Sequence, residues 1–306
     1  MPTPSSASTE SHVPDRWWTF SDWQIRGVSI RIDPMTSKLA LFLGLTLALF
    51  SFHPQRGWAQ DDNAAALKAA VDSPSRNPKD AARDKYRHPV ETLTFFGLKP
   101  GMTVVEIWPG SGWYTDILAP YLHDHGKLYA AASAGENADE YKKKLAADPA
   151  RFGKVTVTQL DPPEHMKIAP DGSADMVVTF RNVHNWMRGG NGEAVFKAMY
   201  AALKPGGVLG VEEHRGDPSK PQDPKAASGY VRQDEVIKMA EEAGFILAGK
   251  SEINANPKDT KDYPKGVWTL PPSLAMKDVD RDKYLAIGES DRMTLKFLKP
   301  IKTVTR

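Results

Sequence analysis

The chain has no cysteine among its 306 residues, which rules out disulfides, thiolate nucleophiles and Cys-ligated metal centres together. It also lacks an excess of one charge. Forty Lys and Arg stand against 38 Asp and Glu, a formal +2, too little to argue for nucleic acid or an anionic surface, and no long basic run makes up for it. Signatures of the GxSxG, HExxH and P-loop types are missing, so the hydrolases and kinases that use them are set aside. No His, Asp and Glu cluster has metal-ligand spacing: His123 and His125 merely flank Asp124 in a turn, and no metal is expected. No internal repeat is present. What is there, 41% hydrophobic and 25% charged residues, is ordinary globular composition with room for one sizeable domain plus extras.

The first sixty residues read as processing signals. Residues 1–34 are polar and rich in Ser and Pro, and are expected to be a non-native N-terminal extension ahead of an initiator at Met35. Lys38 then precedes an apolar run over 39–52, followed by small residues at Gly57 and Ala59. That is the anatomy of a secretory signal over 35–59, cut after Ala59. The run is shorter than the roughly 20 residues a bilayer span needs. A periplasmic or secreted product with no stable membrane span is expected, the alternative being an uncleaved anchor. Residues 60–80 are expected to be a linker with a short helix, and 81–306 the working domain.

That domain is organised around residues 103–119, TVVEIWPGSGWYTDILA. Val104, Val105 and Ile107 make a β-branched strand with Glu106 near its end. Pro109-Gly110-Ser111-Gly112 breaks it, and helical spacing resumes at Trp113. Strand, Gly-containing turn and helix in succession form the nucleotide pocket of open α/β sheets, where the turn and the new helix's free N–H groups meet the ligand and the acid reaches one of its polar groups. Further strands are predicted at 127–132, 155–160, 175–180, 208–212, 245–251 and 293–298, with helices between them. Alternation over some two hundred residues gives a parallel or mixed sheet covered on both faces. Arg87-His88-Pro89, at the start of a helix, reads as a capped, solvent-facing turn, and 217–229, with three prolines, as a mobile loop.

Glu106, Gly110 and Gly112, taken with Asp175-Met176-Val177-Val178 and Leu203-Lys204-Pro205-Gly206-Gly207, make the chain resemble class I S-adenosylmethionine-dependent methyltransferases. The nearest likeness is to exported predicted methyltransferases carrying EIWPG-x-GWYT, NxHNW and a late GESDRMTLKF-like stretch, here residues 288–297. The resemblance spans roughly Tyr86 to Leu298. It implies a Rossmann-like, mostly parallel seven-stranded sheet with an antiparallel final hairpin, and S-adenosylmethionine as cofactor. Gly110 and Gly112 would pass under the methionine part of that cofactor and Asp161 would accept from the adenine amino group. The 181–186 loop, starting at Arg181, would border the active face. Glu106, Trp108, Gly110, Gly112, Asp161 and Arg181 are therefore the candidate cofactor residues.

Two positions depart from the pattern. Trp108 stands where the family has its first glycine and cannot offer the access that a missing Cβ gives. Ala132 closes the second strand where a carboxylate usually binds the ribose. A charge-assisted hydrogen bond is worth about 1.5–3 kcal/mol, so its absence weakens binding by roughly tenfold to a hundredfold unless Glu136 reaches back. Ligands of open α/β sheets sit at the carboxyl ends of the strands, which selects His184 and Asn185 after the fourth strand and Glu213, His214 and Arg215 after the fifth. His suits proton removal near neutral pH; His184, His214 and Asn185 are the candidate catalytic residues. The expected function is methyl transfer to a small molecule. The alternative is an exported methyltransferase-like binding protein that has lost or altered its cofactor site, with Trp108 and Ala132 as the reason.

Overall fold

The computed structural model describes residues 60–301; the extension at 1–34 and the signal at 35–59 lie outside the described residues. In chain order the elements are α1 (Gln60–Val71), α2 (Pro78–Ala81), α3 (Asp84–Arg87), α4 (Pro89–Phe96), β1 (Thr103–Ile107) and α5 (Thr115–Leu122). Next come β2 (Lys127–Ala132), α6 (Glu136–Ala147), α7 (Pro149–Phe152), β3 (Thr156–Gln159), β4 (Ala174–Phe180), α8 (Val183–Arg188) and α9 (Gly192–Ala202). The chain ends with β5 (Leu203–His214), α10 (Gln233–Glu242), β6 (Ile246–Ser251), α11 (Arg281–Ile287) and β7 (Arg292–Leu298). Among the described residues no helix is long and apolar enough to cross a membrane.

The strands form one seven-stranded sheet ordered β3-β2-β1-β4-β5-β7-β6. All neighbours are parallel except β7, which runs antiparallel to both β5 and β6. This is the Rossmann-like methyltransferase sheet with its final hairpin. Because both faces are covered, alternate residues of one strand enter different cores. Val105 and Ile107 join the layer of Trp186, Phe196 and Met199. Val104 joins the layer of Leu93, Phe96, Ile117 and Tyr141. By the same period of two, Glu106 points with Val104 toward α5 and α6.

Local signals explain the edges of the site. Pro89 opens α4 at the position where its missing N–H costs nothing, and Gly97 ends it in a left-handed cap at φ 88°. Asp175, at the start of β4, takes the Thr103 backbone N–H at 2.8 Å and the Lys204 ammonium at 2.6 Å, so it fastens the start of β1 to the start of β5.

Three expectations need correcting. Most of the expected linker at 60–80 is helical: α1 buries Leu67 and Val71 in the same core as α5, because Leu67 and Val71 are four apart on one helical face. The loop at 217–229 is pinned. Ala226 is buried, the Asp223 carboxylate accepts the Lys225 and Ala227 N–H groups, and Gly229 bonds back to Ala226. The turn at Arg87 does not face solvent, since Arg87 is only 4% exposed.

Candidate functional site

The turn after β1 is built as a strained crossing. Trp108 has φ 46°, Gly110 59° and Gly112 81°, so the residue standing in for the first glycine adopts the left-handed conformation a glycine would supply. For a bulky side chain that conformation costs on the order of 1–3 kcal/mol and must be held by its surroundings. The holders are visible. The Trp108 indole N–H donates to the Leu160 carbonyl at 2.9 Å, and its ring meets Trp186 edge-on at 6.0 Å. Asn182 Nδ2 donates to the Ile107 carbonyl at 2.9 Å, tying the end of β1 to the end of β4. The indole thus reaches from the end of β1 to the end of β3, over the end of β2, where Ala132 sits buried.

The two glycines differ in purpose. A Cβ on Gly110 would meet nothing within 4 Å, so its backbone borders open space. A Cβ on Gly112 would stand 3.1 Å from Lys144 and Tyr141, so this glycine lets α6 pack close. Glu106 is 2% exposed and accepts from the Thr115 hydroxyl at 2.6 Å, with the Tyr141 hydroxyl 3.0 Å beyond. Burial raises its carboxyl to about 7 against the pull of Thr115 and Lys144. Asp161 is half-buried and begins a small bridge to His165.

A second feature lies at the carboxyl ends of β4 and β5, a cavity of about 240 Å³. Arg83, Arg87 and Arg181 line it together with His184, His214 and Glu289. Val267, Trp268 and Pro271-Pro272 close it. Arg181 is itself left-handed at φ 61° and donates from Nη1 to Glu212 at 2.9 Å. Glu212, fully buried, also accepts from Tyr114 at 3.1 Å. Burial alone would raise Glu212, but Arg292, Arg181 and Arg87 hold it below the usual carboxylate range. Glu289 takes Arg83 at 2.7 Å, Arg292 at 2.9 Å and Arg87 at 3.4 Å. Against its burial these guanidinium groups pull it down to about 2.

The histidines are oriented from behind. His184 Nδ1 lies 3.0 Å from Glu213 Oε1, and Glu213 also accepts the backbone N–H groups of His184 and His214 at 3.3 and 2.7 Å. With Glu213 fully buried and already holding two N–H groups, Nδ1 is assigned the proton, leaving Nε2 as an acceptor. His214 Nδ1 lies 2.5 Å from Ser290 Oγ. Burial, then His184 and Arg181, keep His214 well below its ordinary value and hence neutral. The two imidazoles are 5.4 Å apart.

Of the residues singled out in sequence, the cavity collects Arg181, His184 and His214. Trp108, Gly110 and Asp161 stay around the β1 turn, while Glu106 and Gly112 serve packing. Asn185 is not among the lining residues, and Asn182 makes the bonds between strands instead. Arg215 is committed to Asp291 by bonds of 2.8 and 3.0 Å. Sequence reasoning missed the depth of Arg87, the pairing role of Glu213, and Glu289 with Ser290. It also missed that His184, Glu213 and His214 offer ligand atoms within 4.8 Å of one another, a spacing that could hold a metal ion.

Residues 105–211 match the family model of a methyltransferase domain. A solved S-adenosylmethionine-dependent methyltransferase from Aquifex aeolicus is similar at 20% identity and TM-score 0.50, covering 78% of this chain and 98% of that one. The [4+2]-cyclase SpnF is similar at 14% identity and TM-score 0.52, over 78% and 93%. At such identities these likenesses speak to the fold. A search of curated proteins found no match. The matched domain implies S-adenosylmethionine as cofactor. The open space beside Gly110 leaves room for such a group at the turn, where the chain also offers the Trp108 indole and Asp161 but no carboxylate from β2. Arg83, Arg87, Trp268 and Glu289 lie outside the matched segment.

Proposed function

We propose that the chain is an S-adenosylmethionine-dependent methyltransferase whose acceptor is a small molecule bound in the cavity at the ends of β4 and β5. The observation that carries this is the His184–Glu213 pair, which holds a histidine at Nδ1 in the lining of a cavity at the ends of β4 and β5. β4 is the direct neighbour of β1, and adjacent strands lie about 4.8 Å apart. Ligands resting on these neighbouring strand ends would lie side by side, the arrangement that methyl transfer requires. Gly110 would admit the cofactor's methionine part, and Trp108 and Asp161 would meet its adenosine part. When bound, the cofactor supplies an electrophilic methyl group.

The rest is the work of this chain. Trp268 and Pro271 exclude water from one side of the acceptor. His184 Nε2 takes the proton that the acceptor atom loses, and buried Glu213 stabilises the imidazolium that results. Neutral His214, held at Nδ1 by Ser290, lines the same cavity as a hydrogen-bonding group for the acceptor. Arg181 stands on the acceptor side, not the cofactor side. The chain is further proposed to work outside the cytoplasm, on the signal anatomy at 35–59.

One observation favours a second reading, a binding protein with an altered cofactor site. The Trp108 indole crosses the end of β2 and its N–H is already committed to Leu160. The fold is also shared with a [4+2]-cyclase, and a fold does not set a reaction. Calorimetric titration of the protein with S-adenosylmethionine separates the two readings, with Asp161→Ala as control. Micromolar binding weakened by Asp161→Ala supports the transferase. Absence of binding by folded protein refutes it.

A further inference from the structure

We propose that the cavity at the ends of β4 and β5 recognises an oxyanion, the carboxylate or phosphate group of a small organic acid. This deepens the acceptor-site reading of the same cavity by naming the class of molecule it takes.

The chain spends three separate stretches on placing positive charge there. From the β1 turn, Trp113 carries the Arg87 guanidinium 4.5 Å from its ring centre, and Tyr114 bonds the Glu212 that holds Arg181. From the stretch after β4 come Arg181 and His184. From the residues leading into β7 come Glu289, Ser290 and Arg292, with Glu289 holding Arg83. Four guanidinium groups, of Arg83, Arg87, Arg181 and Arg292, thus stand against three carboxylates: Glu212 and Glu289, which pair with them, and Glu213, which is turned to His184. Positive charge is left over in a largely buried place, where an unmatched charge is expensive.

Arg87 is the clearest case. Its side chain is 5% exposed, its one described hydrogen bond is the long one from Nε to Glu289 at 3.4 Å, and the residue lines the cavity. Burial, then repulsion from Arg181, pushes it down to about 9. An anion in the cavity would offset the repulsion and give the buried guanidinium a charged partner in place of water. Guanidinium forks match the geometry of carboxylate and phosphate oxygens. The apolar part of the lining, Val267, Trp268 and Pro271, suits an apolar or flat body attached to the acid group, and 240 Å³ limits that body to a small one.

The same charges argue against a cation at His184, Glu213 and His214. The guanidinium groups of Arg83, Arg87 and Arg181 line the same cavity and would repel a divalent metal there.

The test is calorimetry on the full chain at constant ionic strength, with inorganic phosphate, malonate and benzoate as probes, methylammonium as the cationic control, and zinc chloride in a separate titration. At least one anion is expected to bind saturably in the millimolar range or tighter, and the arm that binds best assigns phosphate or carboxylate. Arg87→Gln should weaken that binding by roughly tenfold or more. Arg83→Gln, at the more exposed edge of the cavity, should weaken it as well and serves if Arg87→Gln fails to fold. Arg232→Gln, which breaks a surface pair with Asp234, should leave it unchanged. Saturable binding of no anion by folded protein overturns the proposal, as does equal binding by the cavity variants or binding of zinc alone. No S-adenosylmethionine is present in these titrations, so failure here and failure of the cofactor titration are separate results.

Discussion

Glu106 is the residue most readily mistaken for a ligand-binding acid, and replacing it tests how the site is built. In the sheet it shares a face with Val104, sealed under α5 and α6, with Thr115 as its hydrogen-bond donor. Burial raises its carboxyl from 4.5 to about 7, whereas the unfolded chain titrates it at the ordinary value. Between those limits the folded protein holds a proton that the unfolded chain has released. Stability therefore falls as pH rises from about 4.5 to about 7, on this group's account alone. At 1.36 kcal/mol per pKa unit, the loss is on the order of 3 kcal/mol above pH 7.

Glu106→Gln keeps the shape and an oxygen to accept from Thr115 and removes the charge. Near pH 4.5 the variant and the parent should be nearly equal in stability. By pH 8 the variant should be the more stable by up to about 3 kcal/mol, roughly 6–12 °C in melting temperature for a domain of this size. Urea unfolding across the pH range measures the difference directly, and taking the difference cancels the other titrating groups. A difference that stays flat with pH refutes the reasoning, because the carboxyl would not then be held neutral. S-adenosylmethionine titration of the same variant at pH 6 adds a second reading. Unchanged affinity fits a sealed residue, and a hundredfold loss would mean that the acid turns outward to the ligand.

Glu289 has the opposite sign. Its carboxyl is pulled from 4.5 to about 2, so the stability it contributes is present above about 4.5 and is lost as pH falls toward 2; Glu289→Gln should cost about 3–5 kcal/mol at pH 7 by leaving Arg83, Arg87 and Arg292 short of a partner, and should flatten the acid limb of a melting-temperature profile. If His184 is the proton acceptor, His184→Gln should lower kcat by about 10²–10⁴ with KM little changed, measured by methyl transfer once an acceptor is found; a pure KM effect would make His184 a binding group. Trp108→Gly should relieve left-handed strain while losing the contacts to Leu160 and Trp186, and should weaken S-adenosylmethionine if the indole is the adenosine wall. Tighter binding by that variant, read by calorimetry, would make the indole a plug and favour the altered-site reading. N-terminal sequencing of the exported product should begin at Gln60, and a mature chain retaining earlier residues would overturn the cleavage site.

The sheet was legible because its information is local. β-branched runs, Gly turns and helical spacing locate six of the seven strands to within about a residue, and Lys127–Ala132 is read at its observed bounds; the fifth, read as 208–212, starts earlier, at Leu203, because Lys204–Gly207 continue the strand where their Pro and Gly composition reads as a turn. The orientation of Glu106 was also within reach: in a sheet covered on both faces, a residue beside Val105 must point with Val104. The cavity was not legible in this way, because its bonds are long-range. Arg83 meets a glutamate 206 residues away and Arg87 meets the same one 202 residues away, so polar residues at the start of a helix looked like a solvent-facing turn. The motif residues themselves were visible, but their purpose was assigned by proximity to the Gly turn. In the folded chain Trp113 props Arg87, Tyr114 steadies Glu212, and Trp186 braces Trp108. A stretch read as a cofactor signature thus builds the neighbouring arginine cavity as much as it builds the turn. The cofactor pattern could lose its first glycine here because a Trp at φ 46° is held by Leu160 and Trp186; the cavity has no such substitute, since each of its arginines depends on a carboxylate or an aromatic ring supplied from elsewhere in the chain.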